Sequence, residues 1–248
     1  MHIFTITLIL VLTIAHTAIA GETYKIVVDD WVPYSFIKDG KKMGTDIDLL
    51  NAVGKKIGVE FEFVFVPWSR AIHMVKVGDA DGIISLYDTP ERRDFLLYTK
   101  EAISTETIIL ITSYNNKLKS IHSFKDLAGL SIGITPDTSY GKEFDSLNNY
   151  IKEPCRSTDI KIAKLIGNRM DVAVINQASF RERSKHNPTL KSEIKTLPLI
   201  INKQNLFLAF SKKANERKNY PINKISDAIR TLRNDGAITT INKVYMNY

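Results

Sequence analysis

The 248 residues carry 34 Lys and Arg against 27 Asp and Glu, a formal charge of +7. The basic residues are scattered, with no dense run of them interleaved with aromatics, which argues against a nucleic-acid partner and for a solvated basic surface. Cys155 is the only cysteine, so no intramolecular disulfide can form and the fold must rest on its core. No His, Cys and Asp group has metal-ligand spacing, so neither a metal nor a cofactor is expected.

The chain opens with an apolar run from Ile3 to Ala15 that ends in Ala18-Ile19-Ala20, a small-x-small pattern before Gly21. Residues 1–20 therefore read as a secretory signal peptide, an uncleaved anchor being the alternative. No cysteine follows the cleavage site and no later segment has the length of a membrane span, so a periplasmic protein without a lipid anchor is expected. The remainder is long enough for one large domain or two lobes of roughly 100 residues each.

Strand and helix signals then alternate, which points to an α/β class with mostly parallel sheets. Tyr24–Asp29 reads as a strand. Asp46–Ile57 reads as a helix with Ile47, Leu50, Val53 and Ile57 on one stripe, acids at its start, lysines at its end and Gly58 as its stop. Phe61–Val66 is a strand, Trp68–Val77 a helix stopped by Gly78, and Gly82–Leu86 a buried strand. That strand runs into a helix start, with Thr89 as N-cap and Pro90 at the first helical position. Arg92 and Arg93 fall in the first turn, where the helix dipole disfavours cations. A guanidinium held there beside free amides and the Ser85 hydroxyl would receive a carboxylate. The alternative is an Arg satisfied locally by Asp88, Glu91 or Asp94.

The second half repeats the pattern. A β-rich stretch at 107–112 precedes a short capped helix at Ser123–Ala128, a strand at Leu130–Ile134 and a helix over Thr138–Asn149. Asp159–Ile166 is a helix closed by Gly167 and Val172–Ile175 a strand. Leu206–Phe210 is a late strand, followed by helices at Asn223–Arg233 and Ala237–Tyr245 that are split at Gly236. Two α/β units without a flexible tether suggest two lobes joined by strands, a geometry that binds ligands at strand carboxyl ends and between lobes.

Several motifs share one order. Gly44-Thr-Asp-Ile-Asp48, Pro67-Trp68, Gly78-Asp-Ala-Asp-Gly82 and Thr89-Pro-Glu-Arg92 come first. Leu127-Ala-Gly129, Ile132-Gly-Ile134, Thr138-Ser139 and Gly167-Asn-Arg-Met-Asp-Val-Ala-Val174 follow. In this order and spacing the chain, over about residues 22–248, resembles the bacterial extracellular solute-binding proteins of family 3, the polar-amino-acid-type periplasmic receptors of ABC importers. The resemblance implies the type II periplasmic-binding-protein fold, two α/β lobes joined by two hinge crossovers. Lobe 1 would comprise residues 22–107 plus 209–248 and lobe 2 residues 108–208. It implies that Arg92 grips a ligand carboxylate, that Ser85 supplies a polar contact, and that Thr138 and Ser139 hold the same carboxylate at a helix N-terminus. It further implies a small-molecule ligand, an inner-membrane ABC permease as partner and a monomeric receptor.

Two positions depart from the family. The acid that pairs with a ligand ammonium, five residues after the Asp-x-Ala segment, is here Asn176, and Tyr87 stands where smaller polar residues are common. An amide accepts a hydrogen bond from an ammonium but brings no charge to a dry cleft. Asp30 is a candidate for the missing negative partner, with a solvated strand end as the alternative. Trp31 and Tyr34, in the loop after the first strand, and Trp68 are candidate aromatic walls, with ordinary core as the alternative. Phe36, in the same loop, reads as core. Arg70 is a candidate second anion contact, or a surface Arg capped by nearby acids. Non-enzymatic capture is the reading these residues favour. A periplasmic dehydratase of the same fold acting on a cyclic carboxylic acid, and a ligand sensor working through a membrane receptor, are the alternatives.

Overall fold

A computed structural model describes residues 22–118 and 120–246; the expected signal peptide lies outside them. In chain order the elements are β1 (Thr23–Val28), β2 (Phe36–Lys38), β3 (Lys41–Met43), α1 (Thr45–Ile57), β4 (Glu60–Phe65), α2 (Trp68–Val77), β5 (Gly82–Leu86), α3 (Pro90–Arg93), β6 (Leu96–Tyr98) and β7 (Ser104–Ser113). After a 3₁₀ turn at Phe124–Leu127 come β8 (Ser131–Ile134), α4 (Lys142–Asp145), β9 (Ile151–Pro154), α5 (Thr158–Ile166), β10 (Val172–Asn176), α6 (Gln177–His186) and α7 (Pro188–Glu193). β11 (Ile194–Ser211), α8 (Lys212–Asn215), α9 (Ile222–Asn234) and α10 (Ala237–Met246) complete the chain. No helix among the described residues is long and apolar enough to cross a membrane.

The strands follow the order β4-β1-β5-β11-β7-β10-β8-β9, with β6 also paired to β11. β4, β1 and β5 are parallel to one another, as are β9, β8 and β10. β11 is 18 residues long and belongs to both halves. Its first part pairs antiparallel with β7, from Ile194 opposite Ser113 to Leu206 opposite Ser104, and its last part pairs with β5 and β6. The outcome is the two-lobed type II fold, with β7 and β11 lying side by side where the chain crosses between lobes. Each half has apolar clusters on both faces of its sheet. Ile26, Ile47, Leu50 and Phe210 are among those on one face of the first half, and Val27, Val75 and Ile83 on the other. Leu110, Ile132 and Val174, and separately Ile111, Leu165 and Ala173, do the same in the second.

The local signals act as physical chemistry requires. α1 carries Asp46 and Asp48 in its first turn and Lys55 and Lys56 in its last, and ends at Gly58 with φ 75°. α2 ends in the same way at Gly78, φ 83°. The expected helix over 138–149 is a correction: only one turn forms, Lys142–Asp145. Gly141 sits at φ 106° and the Asp145 carboxylate turns back to accept from the Ser139 hydroxyl and the Tyr140 amide, so the backbone before it is held out of the helix. β9, α6 and α7 were not among the sequence-based expectations, and the late strand begins at Ile194 rather than Leu206.

Gly44 fixes the loop that follows β1. It has φ 131°, and a Cβ there would stand 2.3 Å from the Tyr34 carbonyl oxygen. That close approach lets the first amides of α1 donate to the loop, Thr45 N to Pro33 O and Asp46 N to Tyr34 O, both at 3.0 Å. Gly44→Ala should therefore lower stability by more than about 1 kcal/mol in urea unfolding, through both the left-handed backbone and the backbone contact.

Candidate functional site

A cavity of about 520 Å³ opens between the two halves of the molecule. The carboxyl ends of β1, β5 and β10, the amino end of α5 and the crossover strands β7 and β11 supply its walls. Asp30, Trp31, Trp68, Ser85, Tyr87, Arg92, Thr138, Ser139 and Asn176, all singled out from sequence, line it. Tyr34 and Arg70 do not.

Thr89 caps α3 as expected, its hydroxyl accepting from the Arg92 amide, with Pro90 at the first position. The two arginines of this turn separate. Arg93 is exposed and takes the local acid, donating from Nε and Nη2 to the Asp88 carboxylate at 2.6 and 2.5 Å. Arg92 is 8% exposed and has no acid partner among the described residues. Its Nη1 donates to the Tyr87 carbonyl and its Nη2, across the cleft, to the Asp137 carbonyl, both at 3.2 Å. Desolvation pulls this guanidinium below its ordinary value, yet an arginine remains charged at any physiological pH. Trp68 lies 5.6 Å from the guanidinium carbon and donates from Nε1 to the same Asp137 carbonyl at 3.0 Å. Three of the five Arg92 N–H groups are left for a ligand.

Ser85 has φ 63°, a backbone conformation rare for a residue of its type. Its hydroxyl donates to Asp46 Oδ2 at 2.5 Å. Asp46 is fully buried and also accepts from Ser104 and Thr45, both at 3.1 Å. Burial raises its carboxyl to about 6 despite these hydroxyls. Tyr34 packs with Tyr87 and Leu206, donates to the Thr105 carbonyl at 3.1 Å, and supports Trp31, whose ring stacks on it at 4.4 Å. Arg70 is exposed on α2, outside the cavity. The helix-terminus reading for Thr138 and Ser139 is corrected with the helix itself: Ser139 Oγ is committed to Asp145 at 2.5 Å.

Among the charged lining residues that the sequence did not single out, two are buried, Glu106 and Lys161. Glu106, on β7, is 7% exposed and its Oε2 accepts from Asn176 Nδ2 at 2.9 Å. Asn176 is thus not empty-handed: its Oδ1 caps α6 through the Ser179 amide while its amide group holds the Glu106 carboxylate. Burial raises Glu106 above the usual carboxylate range, the Asn176 bond opposing the shift. The Tyr87 hydroxyl is buried beside Glu106 without a hydrogen bond of good geometry. Lys161, on α5, is 4% exposed; its Nζ donates to the Val174 carbonyl at 2.8 Å and to the Tyr140 hydroxyl at 3.4 Å. Glu106 sits in the alternating run Thr105-Glu-Thr-Ile-Ile and Lys161 in an amphipathic helix, so each reads as a surface charge until the halves are placed together.

Residues 24–248 match the bacterial extracellular solute-binding proteins, family 3. The chain belongs to that family. A probable histidine-binding protein of Campylobacter jejuni is 27% identical over 164 residues, 66% of this chain and 63% of that protein. A probable amino-acid-binding protein of Bacillus subtilis, YxeM, is 24% identical over 244 residues, 94% and 84% of the two chains. Among solved structures, an amino acid ABC transporter substrate-binding protein of Streptococcus pneumoniae, AbpA, bound to L-arginine, superposes with a TM-score of 0.74 at 19% identity. It covers 92% of this chain and 95% of that one.

The Asp46 shift has a definite sign. Between about pH 4 and 6 the folded protein keeps a proton on Asp46 that the unfolded chain releases, so this group's contribution to stability falls as pH rises through that window. Two pH units correspond to about 3 kcal/mol at most. Urea unfolding from pH 4 to 8 should show that Asp46→Asn gains on the wild type as pH rises; a constant difference would contradict this.

Proposed function

We propose that this protein is an exported, monomeric receptor that captures a small amino-acid-like ligand between its lobes and presents the closed form to an ABC importer of the inner membrane, without turning the ligand over. The observation that carries the reading is Arg92: a guanidinium buried on α3 in the cavity lining, with no acid partner among the described residues and with N–H groups beyond the two given to the Tyr87 and Asp137 carbonyls. A carboxylate matches that fork and supplies the charge that burial demands. The lobes, 22–107 with 209–248 and 108–208, turn about the strand pair β7 and β11. A ligand held from both sides favours the closed arrangement, whereas one held from a single lobe shifts nothing. The names of the relatives, which bind histidine, arginine or unspecified amino acids, support the class of ligand.

A thermal-shift screen of the purified protein against amino acids, opines, organic acids and simple amines tests this. A carboxylate-bearing compound should stabilise the protein at millimolar concentration. Calorimetric titration with that compound should then show Arg92→Ala weakening binding about a hundredfold or more, with Arg93→Ala near wild type. Stabilisation by amines alone, or full affinity in Arg92→Ala, would overturn the reading.

A further inference from the structure

Three buried charges surround the cavity, and none meets an opposite charge within salt-bridge distance among the described residues: Arg92, Glu106 and Lys161 at 8%, 7% and 4% exposure. They come from different parts of the molecule, α3, the crossover strand β7 and the second-lobe helix α5. The other acids of the lining, Asp29, Asp30 and Asp159, are less buried. Asp159 accepts from Arg183 Nη1 at 2.6 Å, Asp30 lies in the field of that same guanidinium, and the Asp29 carboxylate accepts from the Asp30 amide at 2.9 Å. Lys161 has used two of its three N–H donors on neutral oxygens, so one remains. A desolvated ammonium held only by a carbonyl and a phenol lacks the charge that burial calls for.

We infer that the ligand carries a second anionic group and that Lys161 receives it: the cavity suits an acidic amino acid, its α-carboxylate at Arg92, its ammonium at Glu106 and its distal carboxylate at Lys161. This deepens, and rests on, the amino-acid reading above. Glu106 supplies from β7 the negative charge that Asn176 lacks, and Asn176 Nδ2 orients it. The volume of about 520 Å³ is ample for a small zwitterion with a second carboxylate.

Titration calorimetry with L-glutamate, L-aspartate, L-glutamine, L-arginine and L-histidine decides. Glutamate or aspartate should bind at least about tenfold tighter than glutamine, arginine or histidine, as a charge-assisted contact to Lys161 requires. Lys161→Gln should weaken glutamate and aspartate binding at least about tenfold more than it weakens glutamine binding, and Lys161→Arg should retain the preference. If Lys161→Gln fails to fold, the wild-type ranking is itself decisive. Tightest binding of glutamine, arginine or histidine would overturn the assignment of Lys161 and leave amino-acid capture standing. Binding of none of the five, with other carboxylates bound through Arg92, would likewise overturn only this inference; no carboxylate binding at all would overturn both.

Discussion

The antiparallel pairing of β7 with β11 decides where everything else in the cleft can be. The register sets Lys203 opposite Thr107, Gln204 opposite Glu106, Asn205 opposite Thr105 and Leu206 opposite Ser104. Because side chains alternate across a strand, Glu106, Ile108 and Leu206 line the ligand cavity while Thr105, Thr107, Lys203 and Asn205 line a groove on the opposite side. A one-residue slip of β7 would take Glu106 out of the cleft, and one of β11 would bring Lys203 into it. Tyr34 and Ser104 tie the first lobe to the same ribbon, through the Thr105 carbonyl and the Asp46 carboxylate. The crossover thus joins the two halves and contributes a buried acid to the cleft lining.

The adjacent arginines of α3 show how burial converts one residue type into two. Both occupy the first turn of a four-residue helix, against the dipole preference. Arg93 meets Asp88 in solvent, an arrangement that contributes little to binding or fold. Arg92 points inward to two carbonyls, one of them on the far side of the cleft. An arginine so desolvated costs stability unless something anionic joins it, and under the proposed function that cost is a reason for the cleft to close on a carboxylate.

The sequence was most legible where the signal is local. The bounds and glycine stop of α2 and the apolar run of β5 could be read to the residue, and so could the Thr89-Pro90 start of α3. The helix expected over 138–149 failed because a side chain six residues on, Asp145, satisfies Ser139 and competes with helical hydrogen bonds. Of the site, Arg92 was visible because it broke a local rule. Glu106 and Lys161 broke none: an acid in an alternating strand and a lysine in an amphipathic helix look solvated. Only the packing of α5 against β10 and β7, and the meeting of the lobes, buries them. Tyr34 failed in the opposite sense, an aromatic in the right loop whose ring is needed to support Trp31 and the crossover.

The two halves also touch directly across the cleft. Trp68 Nε1 and Arg92 Nη2 both donate to the Asp137 carbonyl, in a residue with φ 59°, so the lobes touch through two neutral-acceptor bonds. Bonds of this kind contribute about 1 kcal/mol each, somewhat more from a charged donor, and water competes for every one of them when the cleft opens. They orient closure without fixing it. Under the receptor function proposed above, desolvation of Arg92, Glu106 and Lys161 opposes closure of an empty cleft and favours closure of one that holds complementary charges. On that proposal the same buried charges serve both selectivity and response, because closure without a ligand leaves all three unmet.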